Sequence, residues 1–246
     1  MLSKTEVKYI QSLGHKKSRD KERLFIAEGS KMIAEFINEF PLQIFRLYAT
    51  EEFMKTHQGI DQISDKRIIT EEELQRISLL QTPNQALAII RYFPELELKN
   101  ISKGWSLVLD GIRDPGNMGT IIRLADWFGI SNIICSPDCA DIYNPKVVQA
   151  TMGSIMRVTI VERELKSFLA EQQLPVVGAV LGGEKLPSFK FPSTGLLLIG
   201  NESKGISNDL LPFLTQQLTI PGFGQAESLN AAIATGIFLW ELKRPV

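Results

Sequence analysis

Apolar and polar positions along this chain follow two rhythms. Over the first 95 residues, short apolar runs interleave with helical stripes. Phe25-Ile26-Ala27-Glu28 reads as a strand, and Met32, Ile33, Phe36, Ile37 and Phe40 then recur at helical spacing. Residues 44–49 predict a strand followed by a helix begun at Thr50, and 66–69 predict another strand. Thr70 with Glu73 makes the capping-box pattern for a helix through Leu79, and 86–93 closes the unit as a strand. From Trp105 the rhythm becomes a regular strand–helix alternation. Strands are predicted at 106–110, 132–136, 155–161, 176–180, 196–200 and 217–220, with helices near 120–128, 144–151, 162–172, 208–214 and 228–243. Leu196-Leu197-Leu198-Ile199 is apolar on both faces, as a buried parallel strand requires. The expected fold class is α/β, a mostly parallel sheet covered by helices and preceded by a small α/β domain. The charged, turn-rich stretch 94–104 marks the boundary. It gives a first domain at 1–95, a linker at 96–104 and a second domain at 105–246.

Composition narrows the chemistry. Of 246 residues, 44% are hydrophobic and 22% charged, ordinary for a globular protein. No apolar stretch approaches the roughly 20 residues needed to span a bilayer, and the start lacks the apolar core of a secretory signal. A cytoplasmic protein is expected, with no membrane partner. Cys135 and Cys139 are the only cysteines, and His15 and His57 the only histidines. A disulfide framework and a conventional zinc site are therefore not expected, and the cysteines read as small, partly buried hydrophobes. Net charge is −1, yet Lys16, Lys17, Arg19 and Arg23 cluster within a basic N-terminal segment. That segment is either a phosphate-contacting surface or a solvated helix face.

Three loops stand out. They are Asp110-Gly111-Ile112-Arg113-Asp114-Pro115-Gly116-Asn117-Met118-Gly119-Thr120, Ile199-Gly200-Asn201-Glu202-Ser203-Lys204-Gly205, and Ile220-Pro221-Gly222-Phe223-Gly224-Gln225-Ala226-Glu227-Ser228-Leu229-Asn230. Each follows an apolar run, and glycines admit close backbone approach beside polar handles. Loops at strand ends are where open α/β sheets bind ligands. Neither the Gly-x-Gly-x-x-Gly dinucleotide fingerprint nor the P-loop spacing is present, which disfavours dehydrogenation and nucleotide hydrolysis.

These loops resemble motifs 1, 2 and 3 of the SpoU family of RNA 2′-O-methyltransferases, the TrmH-like members of the SPOUT superfamily. Asp114 to Arg123 resembles motif 1, Gly200-Asn201-Glu202 with Gly205 motif 2, and Ile220-Pro221 with Ser228-Leu229-Asn230 motif 3. Lys16 to Lys21 and Phe25 to Gly29 resemble the family's N-terminal substrate-binding domain. Ala231-Ala232-Ile233-Ala234 departs from the Val-Ser-Val-Ala common after the motif 3 asparagine.

The resemblance implies a catalytic domain with a deep trefoil knot, S-adenosyl-L-methionine as cofactor, no metal, and a homodimer whose interface adjoins the site. It implies methylation of a ribose 2′-hydroxyl in structured RNA, ribosomal RNA first. Transfer RNA, or a non-catalytic RNA-binding assembly factor on the same fold, is the alternative. By the same resemblance the catalytic candidates are Asn117, Arg123, Glu202, Ser228 and Asn230. Glu202 orients Arg123 or the ribose, or else ties down its own loop. Cofactor-binding candidates are Ile199, Gly200, Ile220, Pro221 and Leu229, and RNA-binding candidates are Lys16, Lys17, Arg19 and Arg23. Ser228 has a second reading, as the cap of the last helix. The stripe Leu229, Ala232, Ile233, Gly236, Ile237 and Trp240 on that helix reads as core, with a subunit interface as the alternative.

Overall fold

The computed structural model describes residues 1–94 and 97–244. The expected boundary at residues 95 and 96, and the end of the second domain at 245 and 246, lie outside the described residues. The chain forms two compact units.

The first unit opens with two helices that are not among the expected elements. They are α1 (Lys4–Ser12), capped by the Ser3 hydroxyl, and α2 (Lys16–Glu22), ended by Arg23 at a left-handed φ of 56°. The expected strands and helices follow in order: β1 (Leu24–Glu28), α3 (Ser30–Glu39), β2 (Ile44–Ala49), α4 (Glu51–Thr56), β3 (Lys66–Ile68), α5 (Glu71–Ile77) and β4 (Ala86–Arg91). The capping box forms as read, with Thr70 Oγ1 accepting from Glu73 N and the Glu73 carboxylate accepting from Thr70 N. The sheet order is β1-β4-β2-β3, antiparallel except for the β2–β3 pair. Met32, Ile33, Phe36 and Ile37 of α3 are buried. Burying each such side chain contributes about 1.5–3 kcal/mol.

The second unit holds β5 (Trp105–Leu109), α6 (Pro115–Trp127) and β6 (Asn132–Cys135). The chain then passes through α7 (Pro145–Thr151) and returns for β7 (Thr159–Glu162), α8 (Leu165–Ala170), β8 (Val176–Lys185), β9 (Gly195–Ile199), β10 (Gln216–Thr219) and α9 (Ala231–Lys243). The six strands are ordered β10-β8-β9-β5-β6-β7, and every pairing is parallel. The loops after β5, β9 and β10 therefore leave from one edge of the sheet, the edge at which parallel sheets bind ligands.

Several expectations are corrected. Residues 141–156 pack within the first unit, although they lie inside the stretch assigned to the second domain. The Tyr143 ring stacks on Tyr92 at 3.8 Å and approaches Phe25 at 4.8 Å, and α7 itself packs against β1. The predicted strand 155–161 begins as a 3₁₀ turn (Ser154–Met156), and only Thr159–Glu162 is extended. The helix expected over 208–214 is one 3₁₀ turn (Leu211–Phe213), because Pro212 in its middle cannot continue an α-helix. The last helix starts at Ala231, capped by Asn230 and not by Ser228.

Arg19, named above as an RNA contact, is 1% exposed. Its guanidinium donates to Leu13 O at 3.0 Å, Gly14 O at 2.8 Å and Asp141 Oδ2 at 2.5 Å. It is an internal cation that ties the α1–α2 turn to residue 141, and no phosphate can reach it without opening the unit. Lys16, Lys17 and Arg23 are exposed. Among the described residues no helix is long and apolar enough to cross a membrane.

Candidate active site

The first loop is built by local chemistry. Asp110, buried at the end of β5, accepts from Ser207 N at 2.7 Å, while its own N–H donates to Ile199 O. Gly111 adopts a left-handed φ of 64° and donates to Ser136 Oγ at 2.8 Å. Asp114 then caps α6, its carboxylate accepting from Asn117 N at 2.8 Å, with Pro115 at the first helical position. This cap holds Asn117 buried in the first turn of α6.

The second loop follows β9. Gly200 cannot be another residue, because a Cβ there would collide with the main chain of Gly205 and Ile206. Asn201 folds the loop back on itself, exchanging both main-chain bonds with Gly205. Its Oδ1 accepts from Ser203 N, Ser203 Oγ and Lys204 N, and its Nδ2 donates to Gly111 O at 2.7 Å. A Gly200→Ala substitution is expected to cost about 1–3 kcal/mol by overpacking. It should also weaken any ligand held by this loop, and urea unfolding with calorimetric ligand titration checks both.

One polar chain joins all three loops. Asn230 Nδ2 donates to Asn117 Oδ1 at 2.7 Å, and Asn117 Nδ2 donates to Glu202 Oε1 at 2.8 Å. Asn201 Nδ2 lies 3.3 Å from Glu202 Oε2, and Asn230 Oδ1 accepts from Ala232 N and Ile233 N at the start of α9. Three residues singled out from sequence, Asn117, Glu202 and Asn230, are thus in direct contact across 113 positions of chain. Glu202 receives two amide donors and pairs with no cation among the described residues, so its remaining lone pairs are open to a ligand.

Arg123 and Ser228 are not in this chain. Arg123 is exposed and makes no hydrogen bond or ion pair among the described residues. It stands six residues beyond Asn117 on α6, roughly 240° around the helix, so the two point to different sides. Glu202 does not orient Arg123 here; it holds Asn117. Ser228 is exposed within the loop 222–228, which makes no hydrogen bond among the described residues. Of the cofactor candidates, Ile199 is buried, Ile220 and Pro221 are half-buried, and Leu229 is 46% exposed.

Cys135 is buried, as a small hydrophobe should be, but Cys139 is more than that. Its Sγ accepts from Ile112 N at 3.3 Å and donates to Leu109 O at 3.4 Å. Interaction with Cys135, helped by Ser136 and the Ile112 N–H, outweighs burial and lowers its pKa to about 7. It thereby supports the first loop, as does Asp138, which accepts from Ser136 Oγ at 2.6 Å and from Arg113 at 2.7 Å. Sequence reasoning named neither Asn201 nor Asp110 as a site residue, though both lie within the quoted loops. Their partners are main-chain groups about 90 positions away. Among the described residues no cluster of His, Cys, Asp or Glu has the grouping to hold a metal.

Residues 104–240 match the SpoU rRNA Methylase family, more than half of the chain. The chain belongs to the SpoU rRNA methylase family. Residues 4–88 match the MRM3-like substrate binding domain. A relative of similar length is the 23S rRNA (guanosine(2553)-2'-O)-methyltransferase RlmP of Bacillus subtilis, 29% identical over 242 residues, 97% of this chain and 96% of that protein. Among solved structures, a putative RNA methyltransferase of the TrmH family from Porphyromonas gingivalis is 34% identical with a TM-score of 0.86, covering 99% of each chain. An AdoMet-bound rRNA methyltransferase from Sinorhizobium meliloti is 31% identical with a TM-score of 0.85, covering 99% of this chain and 97% of that one. These relatives match along nearly the whole length, so both units are shared.

Proposed function

We propose that this SpoU protein transfers the methyl group of S-adenosylmethionine to a ribose 2′-hydroxyl of structured RNA, ribosomal RNA first. The observation that carries the reading is the Asn230–Asn117–Glu202 chain, which binds the three family loops into one polar site. The loop 222–228 offers main-chain donors and acceptors that no described residue satisfies, next to apolar Ile220 and Leu229. That combination fits an adenosine, which needs apolar contact on its ring faces and polar contact at its edge. Ile199, Gly200, Ile220, Pro221 and Leu229 would hold the cofactor, which supplies an activated methyl on a positively charged sulfur.

The protein's task is then to place and polarise a weakly acidic hydroxyl. Glu202, locked by Asn117 and Asn201, has lone pairs left to accept the ribose O–H. Its orientation is set before substrate arrives, so little reorganisation remains for the reaction. Arg123 points away from Asn117, so it would meet the ribose held at Glu202 from the partner subunit of the homodimer proposed below. There it binds the target phosphate and stabilises negative charge on the 2′-oxygen. It is no literal base, since a guanidinium holds its proton above pH ~12. Ser228 contacts the ribose from the third loop. Incubation with labelled S-adenosylmethionine and ribosomal RNA from a strain lacking the protein should label one ribose. RNA binding without label would favour a non-catalytic assembly factor, and label confined to transfer RNA would move the substrate.

Lys16 and Lys17 contact RNA phosphates. Reversing both charges to Glu is expected to weaken RNA binding about tenfold or more at low salt and to flatten the salt slope by about two. An unchanged slope in filter binding across 50–200 mM salt (on the order of the range where phosphate contacts are lost) would leave them as solvated side chains.

The working form is a homodimer. Trp127 of α6 is 83% exposed, and Ile233 and Trp240 of α9 are 57% and 60% exposed, so the last-helix stripe is not the core it reads as. Apolar residues of this size on neighbouring helices seek a partner surface. Sedimentation is expected to find a dimer, and a Trp127→Glu, Trp240→Glu double variant to run as a monomer. Within each subunit the C-terminal segment is threaded as a trefoil knot, rare among folds. Pulling the chain from both ends should stop short of the fully extended length; reaching it would remove the knot.

A further inference from the structure

A cavity in the first unit shares no residue with the polar site described above. It has a volume of about 320 Å³ and is lined by Ile26, Glu28, Leu79, Leu80, Pro145, Lys146, Gln149 and Ala150. Its walls are mostly aliphatic, and three residues of different polarity stand among them: a carboxylate, an amide and an ammonium. Half of its lining residues come from α7, chain that lies outside the matched substrate-binding domain.

Glu28 is the informative member. It closes β1, is 5% exposed, and pairs with no cation among the described residues. Its two oxygens are held by neutral donors, the Ser78 hydroxyl and the Leu79 N–H at 2.9 Å. Burial pushes its pKa up. A carboxylate oxygen has two acceptor directions, so one on each oxygen remains after these bonds. A buried carboxylate facing a cavity without a cation is costly unless further donors arrive. Lys146 is exposed and lines the same cavity without pairing with Glu28.

We propose that this cavity holds one unstacked base of the RNA substrate, guanine in preference, between its aliphatic walls. Guanine carries two adjacent N–H donors on one edge, which match two open acceptors on one carboxylate. Adenine and uracil do not present that pair. Flipped or looped-out bases are read in this way, by edge hydrogen bonds and sandwiching apolar side chains. Gln149 offers both a donor and an acceptor, and Lys146 at the surface suits the phosphate attached to the base. The proposal rests on the reading that the protein acts on RNA, and it assigns the first unit a base-reading role in addition to its phosphate contacts.

The probes are GMP, AMP and UMP, titrated into the full-length protein while methyl NMR signals of Leu79, Leu80 and Ala150 are followed. GMP is expected to shift these signals, with AMP and UMP weaker by about tenfold, the worth of one lost bidentate contact. Ala150→Trp, a half-exposed position, should fill the cavity, abolish the GMP shifts and raise KM for RNA about tenfold, with kcat and cofactor affinity unchanged. If that variant does not fold, Glu28→Gln keeps the shape and should erase the preference for GMP over AMP. GMP that leaves these signals unmoved, or a folded Ala150→Trp variant with wild-type KM, overturns the proposal. Normal methyl transfer with no GMP binding defeats the cavity alone. GMP binding in the cavity with no methyl transfer to any RNA defeats the catalytic reading and leaves the base site standing.

Discussion

Arg123→Ala is expected to lower methyl transfer by about 10²–10³-fold, the usual loss when one group that stabilises developing oxyanion charge is removed. The dissociation constant for S-adenosylmethionine should stay within about twofold of wild type, since that residue is not among the cofactor candidates. The structural reason is its isolation. Arg123 is exposed on α6 and has no partner among the described residues, so its removal breaks no bond that holds the fold. Asn117 is the opposite case, because it is buried and bonded on both sides, and its loss would disturb the fold together with the chemistry. A single-turnover assay at saturating cofactor separates the two. Full activity in the Arg123→Ala protein would end its catalytic assignment, and a large loss of thermal stability would make it structural. Arg123→Lys keeps the charge but not the planar fork, so it should recover only part of the rate.

The parts of this molecule that are legible in sequence are those where local rules and tertiary demands coincide. Leu196-Leu197-Leu198-Ile199 had to be buried on both faces, and it is the centre of β9 between β8 and β5. Thr70 and Glu73 satisfy each other within one turn, so their helix start needs no distant partner. The three loops were visible because glycine and short polar residues concentrate where a parallel strand ends. Their meeting at one polar chain was visible only through the family resemblance. Elsewhere the deciding partner is far away in sequence. Ser228 and Asn230 are both good caps, and the bond from Asn230 to Asn117, together with its bonds to Ala232 and Ile233, accompanies a helix start at Ala231. α2 is almost entirely charged, so periodicity is silent on it, whereas α1 carries buried Val7 and Ile10 at helical spacing; α1 packs against α5 and α2 against β1. Residues 141–156 look like one more step of the β/α alternation, and nothing local says that Tyr143 stacks on Tyr92.

The same remoteness gives Arg19 a structural role in the first unit. Arg19→Met is expected to cost about 3–5 kcal/mol, because it leaves the Asp141 carboxylate without its cation in a largely buried place. The side chains are 1% and 15% exposed, and the guanidinium also satisfies the Leu13 and Gly14 carbonyls that end α1. A surface pair such as Lys16–Asp20, 66% and 48% exposed, should by contrast be worth less than about 1 kcal/mol. If the loss comes from the stranded charge, removing that charge as well must restore most of it. Arg19→Met with Asp141→Leu should therefore be more stable than Arg19→Met alone, since an apolar pair of similar volume can replace a buried ion pair at little cost. Urea midpoints of the two single variants and the double variant form a closed cycle. Additive losses would show that the two residues act separately, and then Asp141 would not be the link that anchors the inserted segment to the N-terminal helices.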